Sequence, residues 1–141
     1  MEKRKKPTGK CKINAIAFIA CSKSKAKNPK PAQFLYQGSL FRKSLVYTKS
    51  RFKKVYILSA LYGVVDLNEI IIPYEKTLNN MPINERKKWA YKVHKQLKEK
   101  GINKEKMWFF TGKKYHEFFT GEKPLQGLSL GYQLQWFNKQ M

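Results

Sequence analysis

The sequence predicts an α/β fold in one compact domain, with a mainly parallel central sheet flanked by helices. Short apolar runs typical of buried strands alternate along the chain with segments of helical spacing. A length of 141 residues suits one domain with a real core. A hydrophobic content of 42% excludes a disordered chain despite the high charge. We therefore expect one domain over residues 13–141, preceded by a flexible basic arm over residues 1–12.

Three apolar runs predict the strands. Residues 13–20 (INAIAFIA) form a continuous apolar run, which is typical of a strand covered on both faces. Residues 55–60 and 107–111 predict the second and third strands. Between residues 66 and 81 the chain mixes isoleucines with Pro73 and an Asn-Asn pair. That stretch predicts an irregular crossover with at most a short strand.

Helices are predicted between and after these strands. Ser39 is a candidate N-cap for a helix that leads to the second strand. The longest helix is predicted from residue 84 to about residue 100, where Gly101 ends it. A short helix over residues 113–119 and a final helix over residues 131–139 complete the fold.

The charge of the chain predicts its partner. The net charge is +21 at pH 7, and residues 1–12, with six Lys/Arg and one Glu, carry only a small part of it. A lysine surplus can serve solubility, but self-repulsion on this scale is offset most naturally by a polyanion. We therefore expect nucleic acid rather than an acidic membrane surface or an acidic protein. The lysines at positions 88, 92 and 95 of the longest helix follow an i, i+4, i+7 spacing on one exposed side.

Neither a membrane span nor a secretory signal is expected. No window reaches the roughly 18 uninterrupted apolar residues that a membrane span needs. The apolar stretch after the basic start is only about eight residues long, which makes a poor signal peptide. The sequence therefore predicts a cytoplasmic protein and does not indicate an oligomeric state.

The cysteines and histidines predict no disulfide, metal or cofactor. Cys11 and Cys21 flank the first predicted strand, and about ten extended residues hold them about 33 Å apart, beyond disulfide reach. Together with His94 and His116 they match no familiar zinc spacing. The glycine pattern of a phosphate-binding P-loop is also absent from the sequence.

Three unusual segments follow the predicted strands, at the sheet edge where α/β proteins bind ligands. Each segment couples small residues with lysine or tyrosine. Residues 59–65 (SALYGVV) have two interpretations. They form either the wall of a binding site or a tight turn with a packed tyrosine. The coincidence of three such segments favours the site. The segments are Cys21-Ser22-Lys23-Ser24-Lys25, Ser59-Ala60-Leu61-Tyr62-Gly63 and Thr111-Gly112-Lys113-Lys114-Tyr115.

Several residues near these segments are ambiguous. Asp66 is the only aspartate of the chain, and its position after SALYGVV predicts that it lies near the site. A solvated turn or a helix cap is the alternative. Cys21 is either a small core residue or a nucleophile, and tyrosines such as Tyr74 either pack in the core or stack on bases. Gly63 is expected to need a positive φ or a close backbone approach, whereas Gly121 is expected to be a permissive loop position.

The same three segments resemble those of known protein families. With residues 31–43, 72–78 and 124–137, they resemble a family of small bacterial and phage proteins of unknown function. More distantly, residues 58–63 (LSALYG) with Pro73-Tyr74 are similar to the YaaA peroxide-stress family. This resemblance implies an α/β fold and DNA binding, although YaaA-like proteins are larger and their extra segments are missing here. The start Cys21-Ser22-Lys23-Ser24-Lys25 is similar to a motif of archaeosine synthase, which implies that Lys25 attacks a base.

We therefore predict a DNA-binding protein with a nucleobase-directed pocket, either DNA glycosylase-like or base-modifying. The alternatives are a non-catalytic DNA-binding or protective protein and an RNA-binding or RNA-modifying protein. Breaking a glycosidic bond needs a carboxylate to orient water, or a lysine amine that can be neutral. The candidate catalytic residues are Asp66, Lys25 and Cys21. The candidate nucleic-acid and base-binding residues are Ser22, Lys23, Tyr36, Ser39, Arg42, Ser59, Tyr62, Gly63, Tyr74, Lys88, Lys92, Lys95, Lys113 and Tyr115.

Overall fold

The structure is a computed structural model that describes residues 12–102 and 106–140. The predicted arm, apart from Lys12, lies outside the described residues, and so does Cys11. The described elements, in chain order, are β1 (Ile13–Ala20), β2 (Lys30–Pro31), α1 (Ala32–Leu35), α2 (Ser39–Arg51), β3 (Phe52–Ser59), β4 (Gly63–Asp66), β5 (Ile70–Ile71), a short 3₁₀ helix (Leu78–Asn80), α3 (Ile83–Glu99), β6 (Met107–Phe110), α4 (Lys113–His116) and α5 (Leu130–Gln140).

The central sheet has four strands in the order β4-β3-β1-β6. β1 runs parallel to β3 and to β6, and β4 runs antiparallel to β3. A small antiparallel pair, β2 with β5, stands apart from it. The predicted α/β domain with a mainly parallel sheet flanked by helices is therefore confirmed.

Alternating side chains of the central strands build a core on each face of the sheet. Ala17 and Ile19 of β1 pack in a cluster with residues of α2 and α5, whereas Phe18 packs in a cluster with residues of α3. β3 divides in the same way, with Ile57 on the α2 side and Leu58 on the α3 side. Because both faces are covered, these strands are apolar at nearly every position.

Some element boundaries differ from the predicted ones. β3 begins at Phe52 because it follows directly on α2, which ends at Arg51. Ser39 is the first residue of α2, and the N-cap is Gly38 without a side-chain cap. The predicted end of α3 agrees with the structure, since Gly101 follows the helix with a φ of +71°.

The segment SALYGVV forms a β-hairpin that the sequence did not predict. Ser59 of β3 lies opposite Gly63 of β4, so residues 60–62 form a three-residue turn. Gly63 has a φ of +79°, which L-residues with a side chain rarely adopt. A Cβ at Gly63 would also collide with the side-chain amide of Gln96. The predicted conformational need for glycine at this position is confirmed.

The expectation that Gly121 is a permissive loop position is wrong. Gly121 has a φ of +157°, and a Cβ there would lie 2.6 Å from the backbone oxygen of Met107. The backbone of the neighbouring residue Glu122 pairs with β6, donating to Met107 O at 3.1 Å. This loop is therefore fixed against the edge strand of the sheet.

No helix in the described part of the chain is long and apolar enough to cross a membrane.

Candidate nucleic-acid and base-binding site

The candidate site lies at the ends of two neighbouring strands whose following connections pack on opposite faces of the sheet. β1 and β6 are adjacent. After β1 the chain leads to α2, whose Leu45 packs on one face, and after β6 it leads to α4, whose Tyr115 packs on the other. Diverging connections of this kind open a crevice at the carboxyl ends of the strands. At that point Cys21 Sγ lies 3.4 Å from Tyr115 Oη.

A chain of hydroxyl groups lies beside this crevice, at the end of β3. Ser59 Oγ accepts hydrogen bonds from the backbone N–H groups of Leu61 at 3.2 Å and Tyr62 at 3.0 Å. Both acceptor sites of Ser59 are then used, so its own proton is donated to Tyr74 Oη at 2.7 Å. Tyr74 Oη also forms a hydrogen bond with Tyr36 Oη at 2.7 Å. Three hydroxyl groups are thus joined in a row.

Lys25 places a positive charge over this chain of hydroxyls. Lys25 and Tyr36 form an antiparallel bridge, which fixes the lysine backbone. Lys25 Nζ lies 4.5 Å from the centroid of the Tyr74 ring and 5.9 Å from that of Tyr36. It also donates a hydrogen bond to Lys23 O at 3.1 Å. Aromatic faces attract an ammonium group at such distances, so the two rings hold Lys25 at the site.

We call Cys21, Lys25, Tyr36, Ser59, Tyr74 and Tyr115 the strand-end cluster. Burial raises the pKa of Tyr36, Tyr74 and Tyr115 above the usual value, and the neighbouring Cys21 acts in the same direction. These three phenols are therefore neutral at physiological pH. They can donate and accept hydrogen bonds, but they cannot act as bases.

The loop after β1 is fixed against the start of α2. Ser22 Oγ donates to Ser24 O at 2.7 Å and accepts a hydrogen bond from the N–H of Gly38 at 3.2 Å. A Cβ at Gly38 would lie only 3.0 Å from the Ser22 Cβ. Ser39 and Arg42 follow on α2 and are exposed, so they lie on the rim of the site and not within it.

Two residues that support the site were missed by the sequence reasoning. Trp89 Nε1 donates to Ser59 O at 2.9 Å. Gln96 donates to Tyr62 O at 3.0 Å and accepts from the N–H of Val64 at 2.8 Å, which fixes the hairpin turn. The sequence did contain an indication for Gln96, because it lies seven residues, about two helical turns, after the inward-facing Trp89 and so on the same face of α3. A polar residue at such a position usually bonds to nearby backbone.

Several predicted lysines surround the cluster. Lys92 Nζ donates to Leu61 O at 2.7 Å, in the turn that follows β3. Lys114, which belongs to a predicted segment but was not a candidate site residue, donates to Asn79 O at 3.1 Å. Further candidate lysines are exposed on the first turn of α4 and on α3; these are Lys113, Lys88 and Lys95.

The prediction that Asp66 lies near the site is wrong. β4 runs antiparallel to β3, so the chain turns back from the carboxyl edge, and Asp66 lies opposite Tyr56. There the carboxylate contacts Lys54 Nζ at 3.4 Å and Lys100 Nζ at 3.7 Å. The sequence placed Asp66 close to SALYGVV along the chain, but an antiparallel strand carries it away by about 3.4 Å per residue.

Two open clefts lie at the other end of the sheet. Two adjoining clefts of about 510 and 460 Å³ are lined by residues at the amino ends of β1 and β3, including Lys53, Lys54 and Asp66. They do not include the strand-end cluster, which is distinguished by its chemistry and not by its volume. We take the cluster as the candidate site because its thiol, ammonium and hydroxyl groups converge there.

In the described residues, no three His, Cys, Asp or Glu side chains come together to hold a metal ion. Cys21 is not in a disulfide there either.

Comparison with known protein families shows the family to which the chain belongs. Residues 16–139 match DUF6884, described as a family of unknown function. The chain belongs to this family. The DUF6884 match runs from within β1 to the last turn of α5, so it contains the whole strand-end cluster. No curated protein and no solved structure matched the chain.

Proposed function

We propose that this DUF6884 protein binds DNA in the cytoplasm and takes a nucleobase into the strand-end cluster. The observation that carries the proposal is the convergence of the Lys25 ammonium and a chain of serine and tyrosine hydroxyls at the carboxyl ends of the strands. This convergence occurs in a chain of net charge +21. The resemblance of LSALYG and Pro73-Tyr74 to the YaaA family supports DNA as the partner.

The aromatic side chains of the site suit a flat base. The Tyr62 and Tyr74 rings lie 5.5 Å apart at an interplanar angle of 88°. A base stacked on the partly exposed Tyr62 would therefore present its edge to Tyr74. Stacking of this kind tolerates every base, because each base has a π face. Because Ser59 and Tyr36 are fully buried, their hydroxyl groups would hold the partly exposed Tyr74 in place against that edge.

The lysines around the cluster suit the phosphates on either side of such a base. Lys92 and Lys114 are anchored to loops that border the site, and Lys23 and Lys113 are exposed beside them. An enzyme that acts on a base in a duplex must first extrude that base from the stack. Phosphate contacts on both sides would hold the backbone while the base enters.

The reaction class that fits best is cleavage of an N-glycosidic bond with Lys25 as nucleophile. The neutral Lys25 amine attacks the sugar C1′, the C1′–N bond breaks, and the base leaves with the bonding electrons and takes the proton that Nζ gives up. The C1′–O4′ bond then opens to give a Schiff base between Nζ and C1′, and water hydrolyses it to release the sugar and restore the lysine. The similarity of residues 21–25 to the archaeosine synthase motif supports Lys25 as a nucleophile, and it implies attack on a base where the route described here attacks the sugar. A hydrolytic route through Asp66 is not supported, because that carboxylate lies elsewhere.

A second function, non-catalytic DNA binding, is favoured by a different observation. The Lys25 ammonium faces two tyrosine rings and donates a hydrogen bond to Lys23 O, whereas attack requires a neutral amine. Among the described residues no carboxylate forms a hydrogen bond to the cluster that would accept that proton. A protein that covers DNA needs the cation alone.

One experiment separates these functions. The protein is incubated with single- and double-stranded DNA oligonucleotides that carry normal, damaged or modified bases, and with RNA counterparts. Mass spectrometry detects released bases, altered bases and abasic sites, while fluorescence anisotropy measures binding. Base release or alteration supports the enzyme. Binding without any change to a base supports the non-catalytic protein, preference for RNA supports the RNA-directed alternative, and no binding at low salt contradicts all of these functions.

A further inference from the structure

The two open clefts at the amino ends of the strands are walled by lysines. They share Lys53 and Lys54, which are both exposed on β3. The lysines that line one or both clefts are Lys12, Lys49, Lys53, Lys54, Lys100 and Lys106, against two carboxylates, Asp66 and Glu69. Lysines of like charge this close together raise a local positive potential that attracts anions.

The placement of Asp66 shows how an anion would bind there. Its two carboxylate oxygens contact Lys54 Nζ at 3.4 Å and Lys100 Nζ at 3.7 Å. The same two ammonium groups lie 5.0 and 5.5 Å from the centroid of the Tyr56 ring. Asp66 is therefore the intramolecular anion of a site made from two lysines and an aromatic face. A phosphate has the charge and the oxygen atoms to take its place.

We propose that these clefts form a second phosphate-binding surface, on which a nucleic-acid backbone displaces the Asp66 carboxylate from Lys54 and Lys100. The surface is separate from the strand-end cluster, because the eight residues of β1 span about 26 Å. The occupant is a phosphodiester backbone because the clefts adjoin each other. Their common wall would let successive phosphates bind along a strand.

This surface does not depend on the base-directed function proposed above. A chain that binds phosphates at both ends of its sheet can hold a strand at one end while a base occupies the other. The surface would also exist in a protein that has no activity on bases. Failure of the one proposal is thus distinguishable from failure of the other.

The test compares two lysine pairs of equal charge. Lys53→Gln/Lys54→Gln removes the shared wall of the clefts, and Lys87→Gln/Lys98→Gln removes two exposed α3 lysines that line neither cleft. Binding of a single-stranded oligothymidylate about 20 nucleotides long is measured by anisotropy as salt is varied. We expect the cleft pair to reduce the salt slope by about 1.4, or about 0.7 for each phosphate that is no longer neutralised. The control pair should change the slope much less, and equal changes in both pairs overturn the proposal.

Asp66→Asn gives a change of opposite sign in the same assay. Removing the competing carboxylate should tighten binding of the oligothymidylate about two- to fivefold, as expected for an exposed ion pair. A weaker DNA affinity, or no change, overturns the displacement of Asp66. Melting temperatures of all variants confirm that they are folded. Hydrogen exchange locates the bound strand: protection of residues 53–54 and 100–102 by the oligonucleotide supports the surface, and protection confined to residues 21–25 contradicts it.

Discussion

Ser59 and Tyr74 are joined through their hydroxyl groups at 2.7 Å, at the carboxyl edge of the sheet. Ser59 ends β3, whereas Tyr74 comes from the crossover that follows β5. Tyr74 then reaches Tyr36 at 2.7 Å and lies beneath the Lys25 ammonium. One tyrosine hydroxyl and its ring thus connect four segments that are distant in the sequence. The candidate site exists only in the folded chain.

Tyr74→Phe should destabilise the protein although it keeps the ring. The Ser59 and Tyr36 hydroxyls would each lose a buried partner, at a cost of about 1–3 kcal/mol. Urea denaturation measures the decrease in unfolding free energy. Tyr132→Phe removes a hydroxyl from a tyrosine that is 62% exposed on α5 and is the control. Equal stabilities of the two variants would show that the hydroxyl chain contributes nothing.

Gly63→Ala should damage both stability and the site. A side chain at φ +79° costs about 1–2 kcal/mol, and the Cβ would also displace Gln96 from the hairpin turn. Gly131→Ala is the matched control, because Gly131 lies in α5 with no atom near its added Cβ. Thermal unfolding should show a lower melting temperature only for Gly63→Ala. Gly121 is unsuitable as a control because its own Cβ would strike Met107 O.

The parts of this fold that the sequence predicted are those set by local pattern. β1, β3 and β6 are recognisable because the runs that lead to their carboxyl ends are covered on both faces and therefore apolar. Parallel strands then bring their carboxyl ends to one edge. For this reason the Cys21, Ser59 and Tyr115 segments could be placed together without a structure.

The missed features depend on tertiary pairing. GVVD has no alternating pattern that distinguishes an antiparallel edge strand from a crossover, so β4 was not predicted and the position of Asp66 was predicted wrongly. Tyr36 and Tyr74 are separated by 38 positions, and no spacing rule relates them. Tyrosine is also common in cores, so a hydroxyl chain cannot be distinguished from ordinary packing before the fold is known.

The stability of the protein should fall in mild acid because of His116. Burial lowers the pKa of His116, and the nearby Lys123 acts in the same direction. In mild acid the unfolded chain therefore binds a proton at His116 that the native state does not bind. The contribution of His116 to the free energy of unfolding is complete above the usual histidine pKa and is lost as the pH falls below it. The decrease is at most about 1.4 kcal/mol per pH unit.

Urea denaturation at about pH 7.5 and about pH 5.5 measures this effect. His116→Gln should have a smaller stability difference between the two conditions than the wild type. A His116→Gln variant with an unchanged pH dependence would contradict the assignment.

DNA binding should weaken steeply with salt. Each phosphate that a lysine neutralises contributes about −0.9 to the slope of log affinity against log salt on duplex DNA. Removing residues 1–12, which carry six Lys/Arg, should make the slope shallower without abolishing binding. A filter-binding titration of both proteins measures this. A salt-independent affinity would exclude the nucleic-acid interpretation.

The central claim is that the strand-end cluster acts on nucleobases through Lys25. It is tested most directly by incubating wild type, Lys25→Met and Asp66→Asn with the oligonucleotide panel, adding borohydride, and measuring released bases and protein–DNA adducts by mass spectrometry. We predict base release and a trapped adduct for the wild type and for Asp66→Asn, and neither for Lys25→Met, whose DNA affinity should stay within about threefold because one charge contributes little to binding. Base release that survives Lys25→Met but is lost in Asp66→Asn, or no base release by the wild type on any oligonucleotide, would contradict the claim.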